Sequence, residues 1–212
     1  MSFKKAAFVI LVILLIDQIS KIYIKTHFLY YESIDVFSWF RIQFVENKGM
    51  AWGMELPGDY GKILLTLFRL AAIGAIAWWL WKSIQRKAST VFITAIAMIF
   101  AGALGNIIDS VFYGVIFTES FNTGQVAVAF PADGDTYGAW FHGKVVDMLY
   151  FPVIEDKVLP DWLPIWGGKR FTFFNAIFNV ADTAISIGLG LLIFFSKKDI
   201  RATENKPEQP EV

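Results

Sequence analysis

Asp17 and Lys21 stand four residues apart in an otherwise apolar stretch, so on a helix they share one face and can pair. Asn106 and Asp109 close a second apolar stretch, with Gly102 one helical turn before Asn106. Asn175, Asn179, Asp182 and Ser186 fall at i, i+4, i+7 and i+11, a single polar stripe on another. Such a stripe must face protein or water, and a lone carboxylate such as Asp182 needs a partner or a proton. Asp147 lies among apolar neighbours in GKVVDMLYFP, which points to a membrane interface rather than open solvent. Ionisable groups within apolar spans are expensive, so each marks a candidate site. A plainer role stays open for each of them. The Asp17–Lys21 pair ties helices together, Asn106 and Asp109 cap a helix, and Asn179 and Ser186 bond between helices.

Composition narrows the remaining chemistry. With no cysteine there is no thiol nucleophile, disulfide or thiolate-bound zinc or iron–sulfur centre. His27 and His142 are the only histidines, so neither an HExxH nor a three-histidine metal site can form, and no metal or other cofactor is expected. The 19 basic and 19 acidic side chains cancel, which gives no reason to expect nucleic acid. Hydrophobic residues make up 56% of the 212 and charged ones only 18%, a shift away from soluble domains and towards a membrane protein.

The elements that must position these residues follow from apolar length. Four segments reach the roughly 20 residues a bilayer requires: about Ala6–Ile24, Ile63–Trp81, Thr90–Ile108 and Ala176–Phe195. No A-x-A-like site follows the first, so it reads as an uncleaved span. Lys4, Lys5, Lys82, Arg86, Lys87, Lys197, Lys198, Arg201 and Lys206 cluster in the N-terminus, the 82–89 loop and the tail, which puts both termini in the cytoplasm. Arg69 lies close enough to the outer end of its span to snorkel. The outer loops, 25–62 and 109–175, are too long to be simple connectors. Residues 34–45 and 125–130 read as strands. The expected fold is therefore membrane all-α: four transmembrane helices with a small extracytoplasmic β-rich subdomain. Residues 1–196 form one domain, and 197–212 a disordered cytoplasmic tail.

The separated pieces resemble bacterial lipoprotein signal peptidase, signal peptidase II. They are Asp17-Gln18 with Lys21, then Asn47-Lys48-Gly49-Met50-Ala51-Trp52-Gly53, which looks like the family's N-x-G-x-A-[FW]-G segment. Gly102-Ala103-Leu104-Gly105-Asn106-Ile107-Ile108-Asp109, Val145-Val146-Asp147 and Phe178-Asn179-Val180-Ala181-Asp182 follow in family order. The resemblance implies a metal-free intramembrane aspartic endopeptidase of the bacterial inner membrane, with its site near the outer face. It would act as a monomer in membrane lipid, cutting diacylglyceryl-modified prolipoproteins just before the lipidated cysteine. It further implies Asp147 and Asp182 as the catalytic pair. Asp17, Lys21, Asn47, Gly49, Asn106, Asp109, Asn179 and Ala181 would bind substrate or support the site. Two departures stand out. Ser110 occupies the place of an arginine usual in the family, whose role must pass to a residue such as Lys144 or Arg41 or be dispensed with. The stretch from Asp109 to Asp147 is also longer than is typical, and decoration is the favoured reading of residues 111–144.

Two other functions compete. A transporter or proton relay running through Asp17, Asp109 and Asp182 explains the intramembrane carboxylates but not Asp147 or the strand-rich loops. A serine–lysine peptidase using Ser20 or Ser110 is disfavoured, because Lys21 adjoins Ser20 and adjacent helical side chains do not face each other.

Overall fold

The computed structural model describes residues 1–47, 59–173 and 175–204. In chain order these form α1 (Phe3–His27), β1 (Ser33–Phe37), β2 (Phe40–Asn47), α2 (Asp59–Gln85), α3 (Thr90–Ile116), β3 (Val145–Tyr150), β4 (Ile154–Val158), β5 (Arg170–Phe173), β6 (Ile177–Phe178) and α4 (Val180–Glu204). Three helical segments among the described residues are long and apolar enough to cross a membrane: Phe3–His27, Ile63–Gln85 and Thr90–Ile116. Val180–Phe195 is a shorter apolar helical stretch. The result is a membrane-type helical fold carrying a small sheet region.

The expected fourth span, from Ala176, starts late for a physical reason. Ile177 and Phe178 are extended and pair with Tyr150 and Leu149 of β3, so the apolar run there is a strand followed by a helix. At its other end α4 continues to Glu204, so the tail expected to be irregular from residue 197 is helical over its first part, as its Lys, Arg, Ala and Glu content permits. Residues 205–212 lie outside the described residues.

The main sheet runs β1-β2-β3-β6, all antiparallel. The strand expected over 34–45 is thus a hairpin, folded at Ser38 and Trp39. No strand forms over 125–130. A single bridge joins Phe117 to Ala129, and the amide of Val128 donates to the Thr118 side chain instead of a ladder carbonyl. Phe130, at φ 53°, then turns the chain away. Residues 111–144 are structural rather than decorative. They complete α3 and return along it, with Gly138, Phe141 and Gly143 donating amides to Gly114, Val111 and Ser110 carbonyls. Ala127 packs in a core with Ile24, Phe44, Tyr113 and Val146.

Small residues set the fit between α3 and α4. A Cβ on Gly102 would overlap the carbonyl oxygen of Ala181 and come within 2.7 Å of the Ile185 side chain. Gly74 on α2 has nothing within 4 Å. Gly102→Ala is expected to destabilise by about 2 kcal/mol through overpacking. Gly74→Ala should stabilise by about 0.5 kcal/mol through helix propensity. Melting of the purified protein in detergent checks both signs, and unchanged melting of Gly102→Ala would contradict the packing.

Candidate active site

A lysine with no exposed surface lies at the base of the site. Lys21 Nζ is 2.9 Å from Asp17 and 2.9 Å from Asp109, and donates to Asn106 Oδ1 at 2.8 Å. All three charged side chains are fully buried, so the pairing that spacing suggested within α1 extends to α3. Gln18 closes the cluster, donating to Asp17, Asp109 and the Gly105 carbonyl while accepting from Tyr113 at 3.2 Å. Gly105 permits this, because a Cβ there would come within 2.6 Å of the Asp17 carboxylate.

The cluster reaches outward through backbone amides. Asp17 Oδ1 accepts the Ala181 amide in the first turn of α4 at 2.9 Å. Asp109 Oδ2 accepts the Val146 amide of β3 at 3.4 Å. Asp17 and Asp109 thus hold the two elements that carry Asp182 and Asp147. They do so as paired, inaccessible groups, which removes the support for a relay through them. Ala181 is itself fully buried, wedged against α3.

Asp147 owes its direction to strand alternation. Val146 and Met148 point into the core with Phe44 and Tyr113, which turns Asp147 to the opposite face. There its Oδ1 accepts Asn179 Nδ2 at 2.7 Å, and its Oδ2 accepts the Asn47 amide group. Asp182 owes its direction to a helix start. Asn179 precedes α4 and accepts the Asp182 amide at 2.9 Å, while Asp182 Oδ2 accepts the Asn179 amide at 3.3 Å, a reciprocal capping box. Asp182 Oδ1 accepts Asn106 Nδ2 at 2.8 Å. One asparagine therefore bridges both carboxylates, and its side chain also donates to Asn106 Oδ1 and the Val146 carbonyl. Burial, then the nearby Asp182 charge, push the Asp147 carboxyl up to about 8, against the opposing effect of the Asn47 bond. Two neighbouring carboxyls that share one proton can serve as general acid and general base.

A cavity of about 410 Å³ opens beside the pair, with Asn47, Arg69, Asn106 and Asp182 as its polar lining and Ile73, Ile76 and Ile185 among its apolar one. A mainly apolar lining with a few polar groups suits a peptide bond flanked by apolar groups. Arg69, expected to snorkel, lines this cavity instead. Position in an apolar run cannot distinguish an arginine that reaches the interface from one that turns inward. The rest of the expected stripe stays outside the site: Asn175 precedes the helix and is exposed, and Ser186 is exposed. Gly49, with residues 48–53 of its motif, lies outside the described residues. Ser110 donates to the Asn106 carbonyl at 2.9 Å. Neither expected substitute for the missing arginine is idle. Lys144 binds Glu119 at 2.7 Å, and Arg41 binds Asp35 and Glu155 at 2.6 and 2.8 Å. Sequence reasoning also missed a second buried pair, Lys25 with Glu46, which holds α1 to β2. Among the described residues no group of His, Asp and Glu side chains is arranged to hold a metal.

A family model described as signal peptidase (SPase) II matches residues 9–197. A lipoprotein signal peptidase of Porphyromonas gingivalis is 49% identical over 90% of this chain and 81% of its own length. One of Amoebophilus asiaticus is 34% identical over 82% of this chain and 69% of its own. A solved bacterial membrane enzyme superposes over 99% of this chain and 96% of that one with a TM-score of 0.59, at 24% identity, which speaks for the fold alone.

The Lys21 cluster yields a prediction about stability. Lys21→Met leaves two buried carboxylates without their cation, and removing one partner of such a group costs about 3–5 kcal/mol. The variant should melt well below wild type in detergent or fail to accumulate. Melting within a degree or two of wild type would contradict the cluster's role.

Proposed function

The chain belongs to the signal peptidase II family, aspartic peptidases that remove signal peptides from prolipoproteins, and from that premise we propose which of its residues perform the hydrolysis and how they meet the substrate. It is an integral membrane protein and an endopeptidase. Asp147 and Asp182 are the catalytic pair. The observation that carries this reading is the bridge of Asn179, which binds one carboxylate with its side chain and the other with its backbone.

Two carboxylates so held share one proton, because the charge of each disfavours ionisation of the other. The ionised member takes a proton from water as the water oxygen bonds to the scissile carbonyl carbon. The protonated member polarises the carbonyl oxygen through the same step. It then gives its proton to the leaving nitrogen as the C–N bond breaks and the oxyanion collapses to a carboxylic acid. Transfer of the remaining proton between the two carboxyls restores the pair. No step requires a metal.

Asn47 and Asn106 orient the pair and border the cavity, whereas Asp17, Lys21, Asp109 and Ala181 support it from behind. α4 completes a set of four spans, with both termini cytoplasmic and the pair near the outer face of the inner membrane. The substrate's apolar signal helix occupies the cavity side of α2 and α4. The diacylglyceryl group on the cysteine holds the scissile bond at the depth of the pair, since each buried CH₂ contributes about 0.8 kcal/mol. The protein acts as a monomer with membrane lipid as its surroundings.

Asp147→Asn and Asp182→Asn should each abolish cleavage of a lipidated prolipoprotein while leaving the variants folded, because an amide can play neither role. Substantial turnover by either variant rules out the pair. On the unmutated enzyme, an unlipidated substrate should show a specificity constant at least about tenfold lower, as expected when positioning is lost. Equal constants would remove the lipid from recognition. For topology, Glu204→Cys in this cysteine-free chain should label only after the cells are opened. Labelling of intact cells from outside would overturn the cytoplasmic tail.

A further inference from the structure

The cavity holds a cation that the scheme above does not use. Arg69 on α2 lines it together with Asp182, Asn106 and Asn47. The side chain is half-buried and interacts electrostatically with Asp182, and it makes no direct ion pair with any described residue. The other charged groups around the carboxylate pair are already committed. Asp17 and Lys21 on α1 and Asp109 on α3 bind one another, which leaves Asp182 on α4 to face Arg69.

We propose that Arg69 is a positioning residue that fixes the single negative charge of the carboxylate pair on Asp182, making Asp182 the base and Asp147 the acid. This inference rests on the reading of Asp147 and Asp182 as the catalytic pair, and it assigns the two roles which that reading leaves interchangeable. Asp182 then takes the proton of the attacking water, and Asp147 hydrogen-bonds the carbonyl and delivers its proton to the leaving nitrogen.

Two further observations favour the same polarity. Asp182 sits in the first turn of α4, where the helix dipole stabilises an anion. It lines the cavity through which water and substrate must approach. Asp147 has no helix end behind it and is only 3% exposed, an environment that favours the neutral form. Its contact with Asn47 tolerates a proton, because a half-turn of that amide presents oxygen in place of nitrogen.

The test is the pH dependence of kcat and KM for Arg69→Gln and Arg69→Lys against the unmutated enzyme, on a lipidated prolipoprotein in detergent. Asp147→Asn and Asp182→Asn are assayed in parallel, and melting confirms that each variant is folded. Arg69→Gln should lose about 30-fold or more in kcat, with KM changed by less than about threefold. The acidic limb of its profile should move up by about one pH unit, the mark of a base deprived of its cation. Arg69→Lys should recover most of the rate and return the limb towards its original place. Arg69→Gln within twofold of wild type would overturn the proposal. So would equal losses in both Arg69 variants with the limb unmoved, which indicates packing rather than charge. Turnover by either aspartate variant would instead defeat the pair itself, whatever Arg69 does.

Discussion

An ammonium group cut off from water must be paired, and in this protein that requirement organises everything else. Lys21 has no exposed surface, and its partners Asp17, Asp109 and Asn106 come from two helices. Leaving any of the four unmatched in a medium of low dielectric costs several kcal/mol, so the helices meet in one register. The spare oxygens of the two carboxylates then bind amides of α4 and β3. The buried charge cluster is thus a jig: its outer valences fix the first turn of one element and the middle of another, and the two carboxyls of the proposed pair ride on those elements.

Asn179 performs the second alignment. As the residue before α4 it satisfies an orphan amide of the helix, and in doing so it orients Asp182. Its side-chain nitrogen reaches Asp147 and Asn106 together. Lys21 is therefore linked to Asp182 through Asn106, and Asp147 to Asp182 through Asn179. Rigid support of this kind suits hydrolysis by two carboxyls, since a base must stand within hydrogen-bond reach of the water it activates. The mainly apolar cavity borders Asp182 on the far side.

Much of this was legible in the sequence, and the failures have physical causes. The shared face of Asp17 and Lys21 follows from helical spacing alone, as does the placing of Asn106 and Asp109 near a helix end. The meeting of Asp147 with Asp182 does not, because it depends on Leu149 and Tyr150 pairing with Phe178 and Ile177. Those two strand residues are apolar and run straight into α4, so hydropathy merges strand and helix into one span. Ser186 matched the helical period yet faces outward, since period fixes a face but not its neighbour. Lys25 and Glu46 were invisible because the lysine looks like a boundary residue and its partner lies on another element. The packing of residues 111–144 was not legible for a similar reason. Its contacts are backbone amides returning to α3, which no side-chain pattern records.

Asp147 and Asp182 are proposed to act on one water at one peptide bond. A structure of the enzyme with an uncleavable prolipoprotein peptide tests that proposal most directly, if a tetrahedral hydroxyl replaces the scissile carbonyl, because such a group occupies the place of the transition state. This hydroxyl is expected to lie between the two carboxyls, within about 3 Å of an oxygen of each. A hydroxyl bound more than about 5 Å from either one, with the peptide otherwise seated in the cavity, would contradict it.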